Sequence, residues 1–280
     1  MKAANKLYTF FVGSLMLLAV FSQAFALTVS VTAPNMVVAR SDGSSWSSTN
    51  WSGYAVTGST GSVTSASASW AVPAVTKISG ASESTTYYSA FWVGIDGFSS
   101  NTVEQIGTMS QITGTTAKYY AWFEFYPSPM YQISMSIKPG DAMSASVLYS
   151  GTSRGFFGRQ SSAFTVTIKD VTTGRSYTTT GTVSNAARSS AEYVAEAPSS
   201  NRGVLPLANF GTANYGADST SVTGTCYATV NGVNGAFGSF GSAVQQITMV
   251  TSADVVKALP SATPSTDGTS FSVTWENAGP

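Results

Sequence analysis

The sequence predicts an all-β domain, an antiparallel sandwich or barrel, and three observations predict it. From Trp46 onward the 280-residue chain is a series of short runs that alternate apolar with polar residues. Clusters rich in Gly, Ser, Asn, Asp and Pro separate the runs, as turns do. β-Branched and aromatic residues dominate the runs, and helical periodicity is nearly absent.

The elements follow in order. "SASWAVPAV" (67–75), "YYSAFWVGID" (87–96) and "KYYAWFEFYP" (118–127) read as strands. "QISMSI" (132–137), "AMSASVLYS" (142–150), "AFTVTIKD" (163–170) and "YTTTGTV" (177–183) continue the series. "YATVNG" (227–232), "QQITMV" (245–250) and "SFSVTW" (270–275) complete it. "KPGD", "TTGR", "VNGVNG" and "STDG" supply turns between them. No repeat and no domain break interrupts residues 46–280, which read as a single domain.

The first 26 residues have a different texture. Lys2 and Lys6 precede an apolar run from Leu7 to Phe21, which ends in Ala24-Phe25-Ala26. A basic start, a short apolar middle and a small-residue end are the pattern of a secretory signal peptide. The run is shorter than the roughly 20 residues a membrane span needs. The expectation is a secreted, extracellular protein with no stable membrane association once residues 1–26 are removed. Residues 27–45 are a leader into the domain or a short pro-segment.

Charge narrows the function. Lys plus Arg and Asp plus Glu number 13 each, and removing residues 1–26 takes the net charge from 0 to −2. Nucleic-acid binding needs a basic footprint, which this chain lacks. Few ion pairs also means few to lose when carboxylates protonate, so the chain is expected to tolerate acid. The single cysteine, Cys226, cannot form an internal disulfide and reads as a small buried hydrophobe.

The absence of histidine removes whole chemistries. No Ser-His-Asp or Cys-His arrangement is available, and zinc sites built on histidine or paired thiolates are gone. "GTSRG" (151–155) matches G-x-S-x-G without an imidazole to activate Ser153, so it reads as a loop. No calcium loop or phosphate-binding glycine loop is present, and no metal or cofactor is expected. Carboxylate, tyrosine and lysine remain for proton transfer. An ordinary Glu, with a pKa near about 4.3, exchanges protons readily in mildly acid water.

Four stretches embed polar or aromatic groups in strand-like runs. They are "NWSGYAV" (50–56), "FWVGIDG" (91–97), "VEQIG" (103–107) with "YYAWFEFYP" (119–127), and "AEYVAEAP" (191–198). In this order they resemble the glutamic peptidases, or eqolisins, from about Asn50 to the last strand. The resemblance implies a sandwich of two large antiparallel sheets, like the jelly-roll lectins. It implies an endopeptidase acting on polypeptide substrates, with Gln105 and Glu196 as its catalytic pair; separately, a monomer is expected. It also implies that Trp51 and Trp92 line the cleft, and that Asp96 and Glu124 bind substrate or orient the pair. Tyr120 departs from the pattern, since fungal members carry an aspartate two residues before the Trp of that motif.

Each of these residues also has a plainer reading. Trp51 and Trp92 fit a core. Asp96 precedes Gly97 and fits a turn. Glu124 fits a solvated strand face. Glu104 points to the face opposite Gln105.

Two other functions stay open at this stage. A glycoside hydrolase needs two carboxyls about 5–10 Å apart. Glu192 and Glu196, four residues apart on a strand, lie about 13 Å apart, whereas Glu124 with Glu196 is not constrained by sequence. A carbohydrate-binding or surface-layer module would use exposed Trp and Tyr. "NWS" (50–52) is an N-glycosylation pattern that overlaps the cleft motif.

Overall fold

A computed structural model describes residues 25–26, 31–43, 45–154 and 160–279. The signal-peptide expectation therefore lies outside the described residues, save Phe25–Ala26. One sheet runs in the order Val244–Val250, Trp51–Thr57, Ser190–Glu196, Thr86–Ile95, Val103–Thr113, Thr116–Tyr126, Tyr131–Ile133, all antiparallel. The second runs Ser176–Ser184, Gln160–Asp170, Ala142–Arg154, Val63–Ala71, also antiparallel.

The layers are joined along one side. Val63–Ala71 touches Thr212–Tyr215 through the Trp70–Tyr215 pair. From there Phe271–Trp275 and Val256–Pro260 lead to Val244–Val250. On the other side no ladder among the described residues joins Ser176–Ser184 to Thr116–Tyr126. The sheet is folded over rather than closed, which makes a sandwich, as the sequence predicts.

Alternation in the strands explains both faces. In Ser190–Glu196, Ala191, Tyr193 and Ala195 point into the core between the layers. Phe123 stacks on Tyr177 from the opposite sheet, with ring centroids 5.9 Å apart. Buried polar tips find partners across the layers, which avoids the cost of leaving them dry and unpaired. Trp70 Nε1 donates to Thr108 Oγ1 at 3.0 Å, and the Tyr215 hydroxyl to the Val194 carbonyl at 2.6 Å. Cys226 is buried, as expected.

The outer face of the first sheet is buried as well. Trp51, Ala55, Ala90, Trp92, Met109, Tyr120, Trp122 and Val194 pack there with Val31, Ala33 and Met36 from the N-terminal segment. That second cover is why Ser190–Glu196 has no exposed residue. "QISMSI" departs from the predicted strand. The ladder ends at Ile133, where the Met135 N–H bonds back to the Ile133 carbonyl and turns the chain aside. Met135 and Ile137 still reach the core.

Candidate active site

Register lines up three rows of side chains on the outer face of the first sheet. Trp51, Glu196 and Ala90 form one row. Val194, Trp92, Gly107 and Trp122 form the next. Glu192, Gly94, Gln105 and Glu124 form the third. Residues two apart on a strand share a face, so all three rows look the same way. Gln105 and Glu196, 91 positions apart in sequence, thus lie on one surface with Trp92 in the row between them.

Two glycines let the indole of Trp92 lie down on the sheet. A Cβ at Gly107 would come within 2.5 Å of Trp92 Cβ and 2.3 Å of the Phe91 carbonyl oxygen. One at Gly94 would come within 2.8 Å of Trp92 Cζ3. So placed, Trp92 Nε1 donates to Glu196 Oε2 at 2.8 Å. Trp51 packs edge-to-face on Trp92, centroids 4.9 Å apart, and its side chain is a further donor toward Glu196. Asn50 Nδ2 reaches Glu196 Oε1 at 3.4 Å.

The other half of the site is an amide held by a carboxyl. Gln105 Nε2 donates to Glu124 Oε2 at 3.0 Å and to the Ala33 backbone carbonyl. Glu124 Oε2 also accepts the Ala33 N–H at 3.0 Å. Gln105 Oε1, Glu124 Oε1 and Trp122 Nε1 are buried with no protein hydrogen-bond partner. Buried polar atoms without a protein partner are uncommon in folded proteins.

Burial sets the electrostatics. It raises Glu196 well above the ordinary carboxylate range; the like charge of Glu124 adds to this, and the Trp92, Trp51 and Asn50 donors oppose it. Burial raises Glu124 too, against the Ala33 and Gln105 hydrogen bonds. Glu192 is raised by burial, with Asp96 and Glu104 as acidic neighbours.

Asp96 has a separate place. It sits at φ 70° beyond the Thr86–Ile95 strand, and its carboxylate accepts the N–H groups of Arg188 and Ser189 at 2.7 and 2.9 Å. It thereby fixes the start of the strand that carries Glu196, without a hydrogen bond to Gln105 or Glu196. Glu124, Trp51 and Trp92 are each wholly buried in the site cluster rather than solvated. Tyr120 shares the face and is nearly buried.

Asn50 and residues 31–37 were not among the sequence candidates for the site. Asn50 is buried and bonded to Ser48, Asn35, Val37 and Glu196, which leaves no room for a glycan. Its place in "NWSGYAV" was its sequence signal. For "VTAPNMV" (31–37) there was none.

Gln105 and the carboxyls of Glu124, Glu192 and Glu196 thus share one buried face of a folded-over β-sandwich. The chain belongs to the Peptidase A4 family, whose model matches residues 49–275. It is a glutamic-type endopeptidase, and its substrates are polypeptides. That excludes the glycoside hydrolase and sugar-binding readings.

The fold is similar to that of scytalido-glutamic peptidase, determined with a transition-state analogue inhibitor. The two are 22% identical with a TM-score of 0.62, over 81% of this chain and 98% of that one. It is also similar to SCP-B, an eqolisin-family member determined with the tripeptide Ala-Ile-His. There the identity is 21% and the TM-score 0.58, over 81% and 98% of the two chains. No curated protein matches the chain.

Proposed function

We propose that this peptidase is secreted, works in acid, and cleaves peptide bonds with Gln105 and Glu196 acting on one water. Glu196 takes a proton from the water as its oxygen adds to the scissile carbonyl carbon. The Gln105 amide donates to the carbonyl oxygen as that oxygen gains negative charge. Glu196 then gives the proton to the departing nitrogen, and the C–N bond breaks. Glu124 holds the Gln105 amide by its N–H side, and Trp92 holds the Glu196 carboxyl.

The observation that carries this reading is the Gln105 amide donating to the Ala33 backbone carbonyl on the buried face that also holds Glu196. That is the contact an oxyanion donor makes with a peptide. Acid activity is favoured because the chain has no histidine and the titratable groups on this face near Gln105 are the carboxyls of Glu124, Glu192 and Glu196. Burial holds Glu196 above the ordinary carboxylate range, against the Trp92 and Asn50 donors.

Casein digestion by the purified protein at pH 3–4 and at pH 7 tests the reading. Clearing at the acid pH and little at pH 7 is expected. Equal or greater clearing at pH 7 would overturn the acid assignment.

A further inference from the structure

Arg188 stands just before Ser190–Glu196, at the end of that strand away from Glu196. Its backbone is held on both sides. Its N–H donates to Asp96 at 2.7 Å, and its carbonyl accepts the Val63 N–H at 2.9 Å. The carbonyls of its neighbours Ala187 and Ser189 accept the Gly61 and Gly58 N–H groups at 2.8 and 2.7 Å. Its φ of 48° lies in the left-handed region, which a non-glycine residue keeps only when its surroundings compel it. The guanidinium is held as well. Its Cζ lies 3.8 Å from the centre of the Tyr149 ring, a cation–π contact. The Tyr149 hydroxyl in turn bonds Thr152 Oγ1 at 2.7 Å. Gly61, at φ 83°, leaves the guanidinium room, since a Cβ there would come within 3.3 Å of one of its nitrogens.

Arg188 lines a cavity of about 270 Å³ whose other walls are mostly polar. Thr60 and Gly61 come from the turn between Trp51–Thr57 and Val63–Ala71. Thr152 and Ser162 face each other on the paired strands Ala142–Arg154 and Gln160–Asp170, and Asn185 lies on the approach to Arg188. The cavity therefore draws on both sheets. An arginine carries five N–H donors in a planar fork. Among the described residues, the Arg188 fork meets no hydrogen-bond acceptor and no carboxylate. The acid bonded to this segment, Asp96, directs its oxygens to the backbone N–H groups of Arg188 and Ser189 instead. Stacking on Tyr149 uses the flat face of the guanidinium and leaves its N–H edge for another partner.

We propose that this cavity binds a tetrahedral oxyanion, sulfate or phosphate, on the Arg188 fork and the hydroxyls of Thr60, Thr152 and Ser162. None of these residues surrounds Gln105 or Glu196, so the site does not depend on the roles proposed for that pair. The fork gives two parallel charge-assisted hydrogen bonds to such an anion, and the hydroxyls donate to its remaining oxygens. A guanidinium keeps its charge in acid, and so does sulfate, whereas a carboxylate ligand becomes protonated. A phosphate ester, with a second pKa near about 6, carries one charge at pH 4, so sulfate is the stronger ligand there. The bound anion joins residues of both sheets and holds the start of the strand that carries Glu196. A ligand that binds only the folded chain stabilises it, so oxyanion binding raises Tm.

Calorimetric titration and thermal unfolding of the full chain at pH 4 test this, with sodium sulfate exchanged for sodium chloride at constant ionic strength. Sulfate is expected to bind one site per chain and to raise Tm saturably, with phosphate weaker. Arg188→Gln is expected to weaken sulfate binding at least about tenfold, through loss of a charged hydrogen-bond partner, and to remove the saturable rise. Arg188→Lys keeps the charge without the fork and should fall between the two. Ser162→Ala leaves the arginine and its backbone bonds in place and should weaken binding about fivefold, which keeps the test decisive if the Arg188 variants do not fold. Phosphoserine set against free phosphate separates two sources of the group. Tighter binding of phosphoserine assigns an esterified ligand and weaker binding the free ion, and either supports the site. A response to sulfate no different from that to chloride would overturn the proposal. So would a sulfate response that Arg188→Gln or Ser162→Ala fully retains, which would leave Arg188 as a structural tie between the sheets.

Discussion

Glu196 and Gln105 differ in what surrounds them, and the difference fits the roles proposed for them. Glu196 meets N–H donors from Trp92 and Asn50, which oppose burial, although burial is the larger effect and keeps its carboxyl above the ordinary range. Gln105 is ringed by acceptors, which fix its N–H side toward a carbonyl. Gln105→Ala removes a donor to the developing oxyanion. The expected loss is about 100- to 1000-fold in kcat with KM little changed, checked by steady-state hydrolysis of a peptide at pH 4. At this scale the sequence spoke only through the ordered motifs. Gln105 by itself is an ordinary polar strand residue. Asn50 was visible as part of a motif, but its four bonds were not. Ala33 was invisible, because its meeting with Gln105 joins residues 72 apart through a backbone carbonyl, and a backbone carbonyl leaves no mark in a sequence.

The strands were largely legible because one face of each packs on the core and the side chains alternate. Ser190–Glu196 shows where that legibility ends. Its polar positions are buried no less than its apolar ones, because a second layer of chain covers the outer face. Glu124, which from sequence fits a solvated strand face, is wholly buried for the same reason. "QISMSI" misled for a different reason: its alternation serves buried irregular chain after Ile133 rather than a ladder.

The strand carrying Gln105 also depends on Gly107, across from Trp92. Gly107→Ala would drive a methyl into the Phe91 carbonyl and Trp92 Cβ, neither of which is a flexible tip. Overpacking against backbone is expected to cost about 2 kcal/mol or more and to dislodge Trp92 from Glu196. Urea unfolding measures the first effect and peptide hydrolysis the second. Unchanged stability with unchanged activity would contradict this packing.

For the whole molecule, the buried carboxyls govern how stability follows pH. Burial raises Glu104, Glu124, Glu192 and Glu196 well above the ordinary range. Between the unfolded value, about 4.3, and each raised folded value, the folded chain holds a proton that the unfolded chain has lost. Stability is then full below the unfolded value and falls as pH rises, at about 1.4 kcal/mol per pH unit for each such group. Tm should therefore be higher at pH 4 than at pH 7. Glu104→Gln and Glu192→Gln, which lack the titrating proton, should each flatten the slope. A Tm that rises toward pH 7 would refute this. The low charge content of the sequence pointed the same way for a weaker reason, the scarcity of ion pairs. The stronger reason is burial, which becomes visible only when Glu104 and Glu192 are placed in the fold.

The central claim is that one amide and one carboxyl work as a unit, and a double-mutant cycle at pH 4 tests it most directly. Gln105→Ala, Glu196→Gln and the pair are compared with the natural chain for peptide hydrolysis. Groups that act as a unit are strongly non-additive. The expected result is that each single change abolishes most of the rate and the pair loses little more than the worse single. Independent, multiplying losses, or either single variant turning over at the parent rate, would contradict the assignment.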